Sequence, residues 1–435
     1  MVLTMNVLSR FPLKIWQLAW PIILSNICIP ALGIIDIAVI GQDPDKNQLT
    51  AIAIGSVFFD ILLGLMNFLR MSTTGLVAQT PDDPTIFHRS FLIATTLATF
   101  TLLLSPLLWT ACFYFSDQNS NIYQPLKLYF YVRCLAVPAS LFQYVIIGYC
   151  FGRQETRLPL VLLLFTNMLA IGLDLLLVYV YQQGTLGIAL ANVLSQWSGF
   201  VAASYLLKKR FNIPLLTLTA FYAPISKYVQ ILSINKDIFI RSLCLMLSIG
   251  YFTHASASIG GDIVSANAIL MSLLMFMSYA MDGFAIACES LVGQAWGKLD
   301  RAMFISAIYQ CCNWCALIAL LFTLVLWFAG NSIISLMSDH VTINQLATQY
   351  LPWLYFISII AFPCYLLDGV FIGATWSKEM RQTMLFACLL VFVPLMSFTV
   401  NHNNHYLWFC YAAFLVARGM SQLYVLKKKL KLPHW

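Results

Sequence analysis

Charged residues are scarce in this sequence. Asp, Glu, Lys and Arg make up only 9% of its 435 residues, whereas 60% are hydrophobic and the mean hydropathy is +0.82. Soluble globular proteins carry about 25% charged residues. So few charges cannot cover the surface of a soluble fold of this length, and the composition therefore excludes a water-soluble globular protein.

Motifs for catalysis, nucleotide binding or metal binding are also lacking. The sequence has no P-loop, no dinucleotide-binding fingerprint, no H-E-x-x-H pair and no G-x-S-x-G elbow. Its twelve cysteines lie mostly in apolar segments, without zinc-finger or redox C-x-x-C context. We therefore expect no enzyme, no metal site and no cofactor. The N-terminus lacks an A-x-A-like cleavage site, so we expect no cleavable signal peptide.

Long apolar runs take the place of these motifs. A run of about 20 residues is needed to cross the hydrocarbon core as a helix, and in lipid the backbone must satisfy its own hydrogen bonds. The sequence therefore predicts an all-α integral membrane protein with about twelve transmembrane helices. The runs lie near residues 15–40, 50–78, 88–115, 123–151, 158–181, 186–207, 237–258, 262–294, 303–329, 343–374, 383–400 and 405–426.

The positive charges are distributed unevenly between these runs. If the N-terminus is cytoplasmic, most of the 24 lysines and arginines fall in cytoplasmic segments, and only Lys46 and Lys127 fall on the other side. Such a bias is the positive-inside rule. It predicts an even number of helices with both termini in the cytoplasm.

A polar stretch from Lys208 to Asp237 divides the chain near its middle and contains Pro214 and Pro224. We expect an N-terminal lobe of six helices over 1–210 and a C-terminal lobe of six helices over 237–435. The linker over 211–236 should be cytoplasmic and should contain a short interfacial helix.

The two halves resemble one another. Residues 50–79 align with 265–294 without gaps, and Pro138 and Gly148 match Pro363 and Gly373 in a second aligned pair of helices. Both halves begin on the same side of the membrane, so the repeat is parallel. Transporters built from repeats bind their substrates near the bilayer midplane, between the halves.

Ionisable side chains within the spans are the candidate functional residues, because a charge at a helix centre costs about 2.5–3.5 kcal/mol on insertion scales. Asp36 lies deep in the first span, which Pro21 and Pro30 should bend. Asp174 lies in the fifth span, on the same face as Asn167. A carboxyl group away from water favours its protonated form, so both aspartates could load and release protons.

Further polar residues accompany these aspartates. Asn192 and Gln196 lie one turn apart in the sixth span and would tune the acidic pair. The second half carries Asp282, Glu289 and Asp368, either as cavity polarity or as structural ion pairs. Three arginines of the spans are candidate interior counter-ions: Arg70, Arg133 and Arg241.

Several segments resemble the multidrug and toxic compound extrusion (MATE) family, in its DinF branch. The resemblance covers nearly the whole chain and rests on these residues: Pro21, Pro30, Asp36 and Gly41 in the first span, FLRMSTTGLVAQ over 68–79, R-x-x-x-x-P-A from Arg133, MDGFAIACESLVGQAWG over 281–297 and LLDGVFIGAT over 366–375.

The resemblance implies two pseudo-symmetric six-helix lobes of the MOP superfamily around a central cavity. It also implies efflux of lipophilic, often cationic small molecules by alternating access, from a bacterial inner membrane and by a monomer. The family's N-lobe acidic pair maps onto Asp36 and Asp174. Protons are the expected coupling ion, with sodium-coupled antiport or flipping of a lipid-linked precursor as alternatives.

Three features depart from the branch. Ala170 stands where a second asparagine is common, and Asn192 stands where a threonine is common. Because a sodium ion requires several oxygen ligands, these changes weaken the case for a sodium site in the N-terminal lobe. The loop 80–84 reads TPDDP in place of a glycine-rich basic turn.

Overall fold

The computed structural model describes residues 14–27, 46–114, 116, 120–215, 224–397 and 403–431, and the findings below concern these residues. In this part of the chain the secondary structure is helical. Helices α1 to α9 comprise residues 14–27, Lys46–Met66, Phe68–Gln79, Thr85–Leu103, Ser105–Tyr114, Tyr123–Cys134, Val137–Gly152, Arg157–Leu175 and Gly184–Phe211. Helices α10 to α16 comprise Ile225–Ile259, Gly261–Gly297, Arg301–Met337, Val341–Gly373, Ser377–Leu385, Val393–Ser397 and Asn404–Lys429.

The predicted spans are confirmed wherever the structure describes them. Ten helical segments are long and apolar enough to cross a membrane, and the pair α6 and α7, bent by 42°, forms an eleventh. Each corresponds to one of the predicted runs from the second to the twelfth. The first run, 15–40, lies partly outside the described residues.

The chain divides into two compact units. The N-terminal unit is Leu24–Leu232, and the C-terminal unit is Ser233–Trp435 together with the residues up to Ile23. The first helix therefore begins among the residues of the C-terminal unit, where Trp16 stacks on Trp314 with 5.5 Å between ring centroids. The lobe boundaries expected from the sequence placed the whole first helix in the N-terminal lobe.

Two interruptions shape the N-terminal unit. Helices α2 and α3 form one 33-residue span that is broken at Asn67. Helices α6 and α7 meet at Leu135 and Ala136, just before Pro138 in the first turn of α7. Proline suits the first turn of a helix because the amide that it lacks has no partner there, so the bend has a local cause. Aromatic rings fill the core beside it, with Phe59 and Phe130 packed at 5.5 Å.

The repeat predicted from the sequence has a physical basis in helix packing. In the N-terminal unit, a methyl group at Gly148 of α7 would lie 2.6 Å from the carbonyl oxygen of Arg70 in α3. The matching residue of the second half, Gly373 of α13, packs equally tightly against the carbonyl of Glu289 in α11. In each unit a glycine thus allows close approach of the corresponding pair of helices.

The structure corrects the prediction for the linker. Residues 225–236 do not form a separate short helix, because α10 runs without interruption from Ile225 to Ile259. Its 35 residues extend about 52 Å, whereas the hydrocarbon core is about 30 Å thick. The seventh span therefore extends beyond the hydrocarbon as one continuous helix.

Candidate functional site

Asp174 is fully buried in the N-terminal unit. It lies in the last turn of α8, and its side chain is 0% exposed. The backbone changes from α-helix to a π-helical segment immediately afterwards, over Leu176–Val180. Such segments are rare and often accompany functional sites. The fifth span thus combines a buried carboxyl group with an irregular backbone.

The amides predicted to accompany Asp174 occupy different environments. The Asn192 side chain is buried and donates to the carbonyl of Ile188 on its own helix at 3.1 Å. Gln196 faces α7, where Gln143 Nε2 donates to its side-chain oxygen at 3.1 Å and to its backbone carbonyl at 2.7 Å. The Ser140 hydroxyl donates to the same side-chain oxygen at 3.4 Å.

Ser140 and Gln143 are polar residues of the interior that the sequence analysis missed. Both lie in α7 and connect the fourth span to the sixth through Gln196. Two polar residues three positions apart in an apolar run share one helix face, and this spacing could have revealed them. Asn167 of α8 is half-buried and lies about two turns before Asp174 on the same face of the helix.

Asp36 and Pro30 lie outside the described residues. Pro21 lies within helix 14–27, which continues through it.

The C-terminal unit contains a buried charge cluster centred on Asp368 of α13. Arg241 of α10 and Arg418 of α16 both donate to Oδ2 of this aspartate, and Gln422 Nε2 donates to Oδ1 at 2.7 Å. The four side chains are almost completely buried. The cluster joins three spans and holds two cations around one anion. We call these four residues the Asp368 cluster.

Other acidic residues of the second half lie outside this cluster. Glu289 of α11 is buried at 1% exposure, and Asp282 of the same helix is half-buried. A separate polar cluster joins α11 to α16, where Asn267 and Asn404 exchange amide hydrogen bonds of 2.8 and 3.0 Å. Trp408 donates to Asn267 at 2.9 Å. The sequence analysis did not identify this second cluster.

The arginines of the N-terminal unit contrast with the Asp368 cluster. Arg70 Cζ lies 5.7 Å from the ring centroid of Phe151, and Arg133 Cζ lies 6.0 Å from that of Phe59. Both geometries are cation–π contacts. Of the three predicted counter-ions, Arg241 contacts a carboxylate directly, whereas Arg70 and Arg133 lie against aromatic rings.

A pocket of about 420 Å³ lies at one end of the N-terminal unit. It is bounded by the loop 80–84, the first turn of α4 and the ends of α7 and α9. Arg153 donates to the carbonyl of Pro81 and to the carboxylate of Asp82, and His88 Nε2 donates to the carbonyl of Pro214 at 2.8 Å. The unusual loop sequence is thus held by an arginine, and none of the predicted site residues lines the pocket.

These features define the class of the protein. Eleven described spans, a repeated helix pair in two units, and buried ionisable side chains in both units are those of a multi-pass α-helical membrane protein with a pseudo-symmetric two-lobed fold. The chain belongs to the MatE family, whose model matches residues 21–176 and 213–397. The resemblance read from the sequence is thereby confirmed.

Two relatives illustrate the range of similarity. The DNA damage-inducible protein F of Escherichia coli is 36% identical over 437 residues, covering 97% of this chain and 92% of that protein. The protein of Acinetobacter baylyi described as "Probable multidrug resistance protein NorM" is 23% identical and covers 84% of this chain and 82% of its own length.

Solved structures confirm the fold. The Vibrio cholerae MATE transporter VcmN in its bent form superposes with a TM-score of 0.88 at 17% identity, covering 98% of each chain. A MOP superfamily transporter of Pyrococcus furiosus superposes with a TM-score of 0.85 at 16% identity, covering 95% of each chain. The two-lobed MATE-like architecture therefore extends over nearly the whole sequence.

Proposed function

We propose that this protein is a secondary active antiporter of the bacterial inner membrane that exports lipophilic, often cationic small molecules in exchange for protons. The observation that carries the proposal is the complete burial of Asp174 within a membrane span. Desolvation favours the neutral form of a carboxyl group, and this makes it suitable for holding a proton that a cationic substrate can replace.

Asp36 and Asp174 form the exchange pair in this proposal. A proton that enters from outside neutralises the pair and releases the substrate, and a substrate that enters from the cytoplasm displaces the proton. Alternating access of the two lobes separates these events. Asn167 lies on the Asp174 face of α8, while Asn192 and Gln196 tune the pair from α9 through the packing of that helix.

The Asp368 cluster is assigned a structural role. Because two arginines and a glutamine contact Asp368, its negative charge is already balanced. A carboxylate held this way is poorly suited to exchange protons with a substrate. Proton coupling is therefore assigned to the N-terminal unit, and Asp282 and Glu289 supply polarity to the C-terminal unit.

The family supports export of small molecules. The Acinetobacter baylyi relative is described as a "Probable multidrug resistance protein", and a MATE structure has been solved in complex with the molecule MaD5. We propose the same export of small molecules for this chain. We also propose that it functions as a monomer and that both of its termini lie in the cytoplasm.

Reconstituted vesicles test the coupling ion. Efflux of a fluorescent lipophilic cation is measured under an imposed proton gradient, an imposed sodium gradient or no gradient, with Asp36→Asn beside the wild type. The proposal predicts efflux under the proton gradient and its loss in the variant. The exposed Asp339→Asn serves as the matched control.

The two alternatives predict different outcomes. Efflux under a sodium gradient alone would assign the protein to sodium-coupled antiport and would contradict proton coupling. If neither gradient moves the dye, a flippase for a lipid-linked precursor becomes the better explanation. Flipping of a labelled lipid-linked pyrophosphate in the same vesicles would then decide the matter.

A further inference from the structure

The pocket beside the loop 80–84 joins three segments of the N-terminal unit that are distant in sequence. Its volume is about 420 Å³, and the loop, the end of α7 and the residues that follow α9 all line it. Contacts hold these walls together. Arg153, which follows α7, donates to the carbonyl of Pro81 in the loop, and the ring centroids of Tyr149 and Phe211 lie 5.4 Å apart. A cavity of this size is within the range of small-molecule sites.

Arg153 supplies the charged donors of this pocket. Its guanidinium carbon lies 5.8 Å from the ring centroid of Phe211, which supports one face of the group. Within the described residues its hydrogen bonds start from Nη1, to the carbonyl of Pro81 and to the carboxylate of Asp82. A guanidinium group carries five N–H donors, so Nε and Nη2 remain available to a ligand. The side chain is 30% exposed, so a ligand can reach these donors.

The carboxylate that pairs with Arg153 is easily replaced. Asp82 Oδ1 lies 3.2 Å from Nη1 of Arg153, but the aspartate side chain is 98% exposed. An ion pair this exposed contributes little stability, because water solvates both charges. The neighbouring Asp83 is directed to a different arginine, since it pairs with Arg89 at 3.3 Å. An anionic ligand could therefore take the place of Asp82 on Arg153.

Further positive charges lie beside the pocket. The last turn of α9 ends there and carries three exposed cations, Lys208, Lys209 and Arg210. Glu155 pairs with Arg210 at 3.4 Å and balances one of these charges. A cluster of charges of one sign raises the local concentration of ions of the other sign. The positive-inside bias predicts that this end of the unit faces the cytoplasm, so the anions that reach it are cytoplasmic or belong to the inner leaflet.

Phosphate is the anion that best fits these donors. It carries more than one negative charge at neutral pH, so it competes well with the single charge of Asp82. Arginine pairs two N–H groups with two phosphate oxygens, and such charge-assisted bonds are roughly twice as strong as neutral ones. Tyr149 and Asn212 line the same cavity, and a phenol or an amide can donate to a further oxygen. Phe211 offers apolar surface to the rest of the ligand.

We propose that this pocket binds a phosphate group carried by a larger molecule, with Arg153 as the main donor and Asp82 as the group that the phosphate displaces. The phosphate belongs either to a soluble phosphate ester or to the headgroup of an anionic phospholipid. The residues that line the pocket are distinct from those assigned to proton exchange, so the site goes beyond the proposed export function. A bound phosphate would connect the loop 80–84 to the ends of α7 and α9.

Binding of radiolabelled inorganic pyrophosphate tests the site. It is measured by equilibrium dialysis against the full chain in dodecyl maltoside, a detergent without phosphate, and the signal of empty micelles is subtracted. The variants are Arg153→Gln and Asp82→Asn. The matched controls Lys428→Gln and Asp339→Asn make the same changes of charge at exposed residues of the C-terminal unit.

The two variants should act in opposite directions. Arg153→Gln should weaken pyrophosphate binding about tenfold or more, because it removes charge-assisted hydrogen bonds. Asp82→Asn should strengthen binding by up to about fivefold, because it removes the competing carboxylate. Both controls should bind as the wild type does. Arg153→Lys should recover part of the binding, since it keeps the charge without the planar fork.

Three results would overturn the proposal: undiminished binding by Arg153→Gln, unchanged or weaker binding by Asp82→Asn, or an equal loss of binding in Lys428→Gln. Melting temperatures of the variants show which of them fold. If Arg153→Gln does not fold, Asp82→Asn decides the matter, because its side chain is almost completely exposed and its substitution leaves the packing intact.

Mixed micelles distinguish the two sources of the phosphate. If phosphatidylglycerol lowers pyrophosphate binding more than an equal amount of phosphatidylcholine, a lipid headgroup occupies the pocket. Equal effects of the two lipids would assign the pocket to soluble phosphate esters. Neither measurement uses an ion gradient or an export substrate, so a failure of proton-coupled export would leave the result unaffected.

Discussion

Arg418 and Asp368 form an ion pair that is sealed from solvent, with side chains 1% and 9% exposed. They lie on the twelfth and tenth spans, 50 residues apart in the sequence. Arg241 of the seventh span donates to the same carboxylate oxygen. One aspartate therefore pairs with two arginines. Loss of Asp368 would remove both ion pairs between the three spans, whereas loss of one arginine would remove only one of them.

Substitution of Asp368 should therefore cost more stability than substitution of either arginine. Asp368→Asn leaves two buried cations without an anion, and it should lower the free energy of unfolding by about 3–5 kcal/mol. Arg418→Met leaves Asp368 paired with Arg241, so its cost should be clearly smaller. Thermal unfolding in detergent, with Asp339→Asn as the control, measures both. A larger cost for Arg418→Met would contradict the structural role assigned to the cluster.

The glycine contact between α7 and α3 leads to a second prediction. A methyl group at Gly148 would meet the backbone of Arg70, which cannot move without shifting a helix. Gly148→Ala should therefore reduce the melting temperature. Gly250→Ala in α10 is the matched control, because no atom lies within 4 Å of its added methyl group. Alanine should stabilise that helix by up to about 1 kcal/mol. Equal melting temperatures of the two variants would contradict the close packing.

Lys14 and Lys298 give a prediction for alkaline pH. Lys14 begins helix α1, just ahead of the first predicted span. Partial desolvation and the nearby charge of Lys298 lower the pKa of Lys14 from its ordinary value of 10.5. The charged form is therefore penalised in the folded protein, and this penalty is complete at neutral pH and disappears as pH rises from the lowered pKa to 10.5.

Lys298→Gln should remove part of that penalty. The variant should melt at a higher temperature than the wild type at neutral pH, and the difference should shrink as pH approaches 10.5. Melting curves of both proteins across this range provide the test. A difference in melting temperature that grows with pH would contradict the direction given for the pKa shift of Lys14.

Hydrophobic runs were sufficient to predict the spans from the second to the twelfth, because length and composition alone determine which segments can cross a bilayer. The bend before α7 also had a visible cause in Pro138. The break at Asn67 had no such signal. The continuity of α10 was missed because its first turns are polar, and polarity reveals exposure but not where a helix ends.

The contacts of the candidate site residues were predicted less completely than the fold. Ionisable residues within spans directed attention to Asp174, Arg241 and Asp368, which are buried in the structure and whose functional roles stay predictions. Their partners depend on which helices pack together. Arg418 was visible in its span, but nothing in the sequence paired it with Asp368. The direction of the Asn192 side chain, toward its own helix, was equally invisible.

The most direct test of proton-coupled export measures protons rather than transport. A lipophilic cation is added to purified protein in weakly buffered detergent solution, and a pH indicator records proton release. The wild type should release protons on binding, Asp174→Asn and Asp36→Asn should each release fewer, and Asp339→Asn should match the wild type. Undiminished release by Asp174→Asn would contradict the exchange of substrate for protons at this carboxyl group.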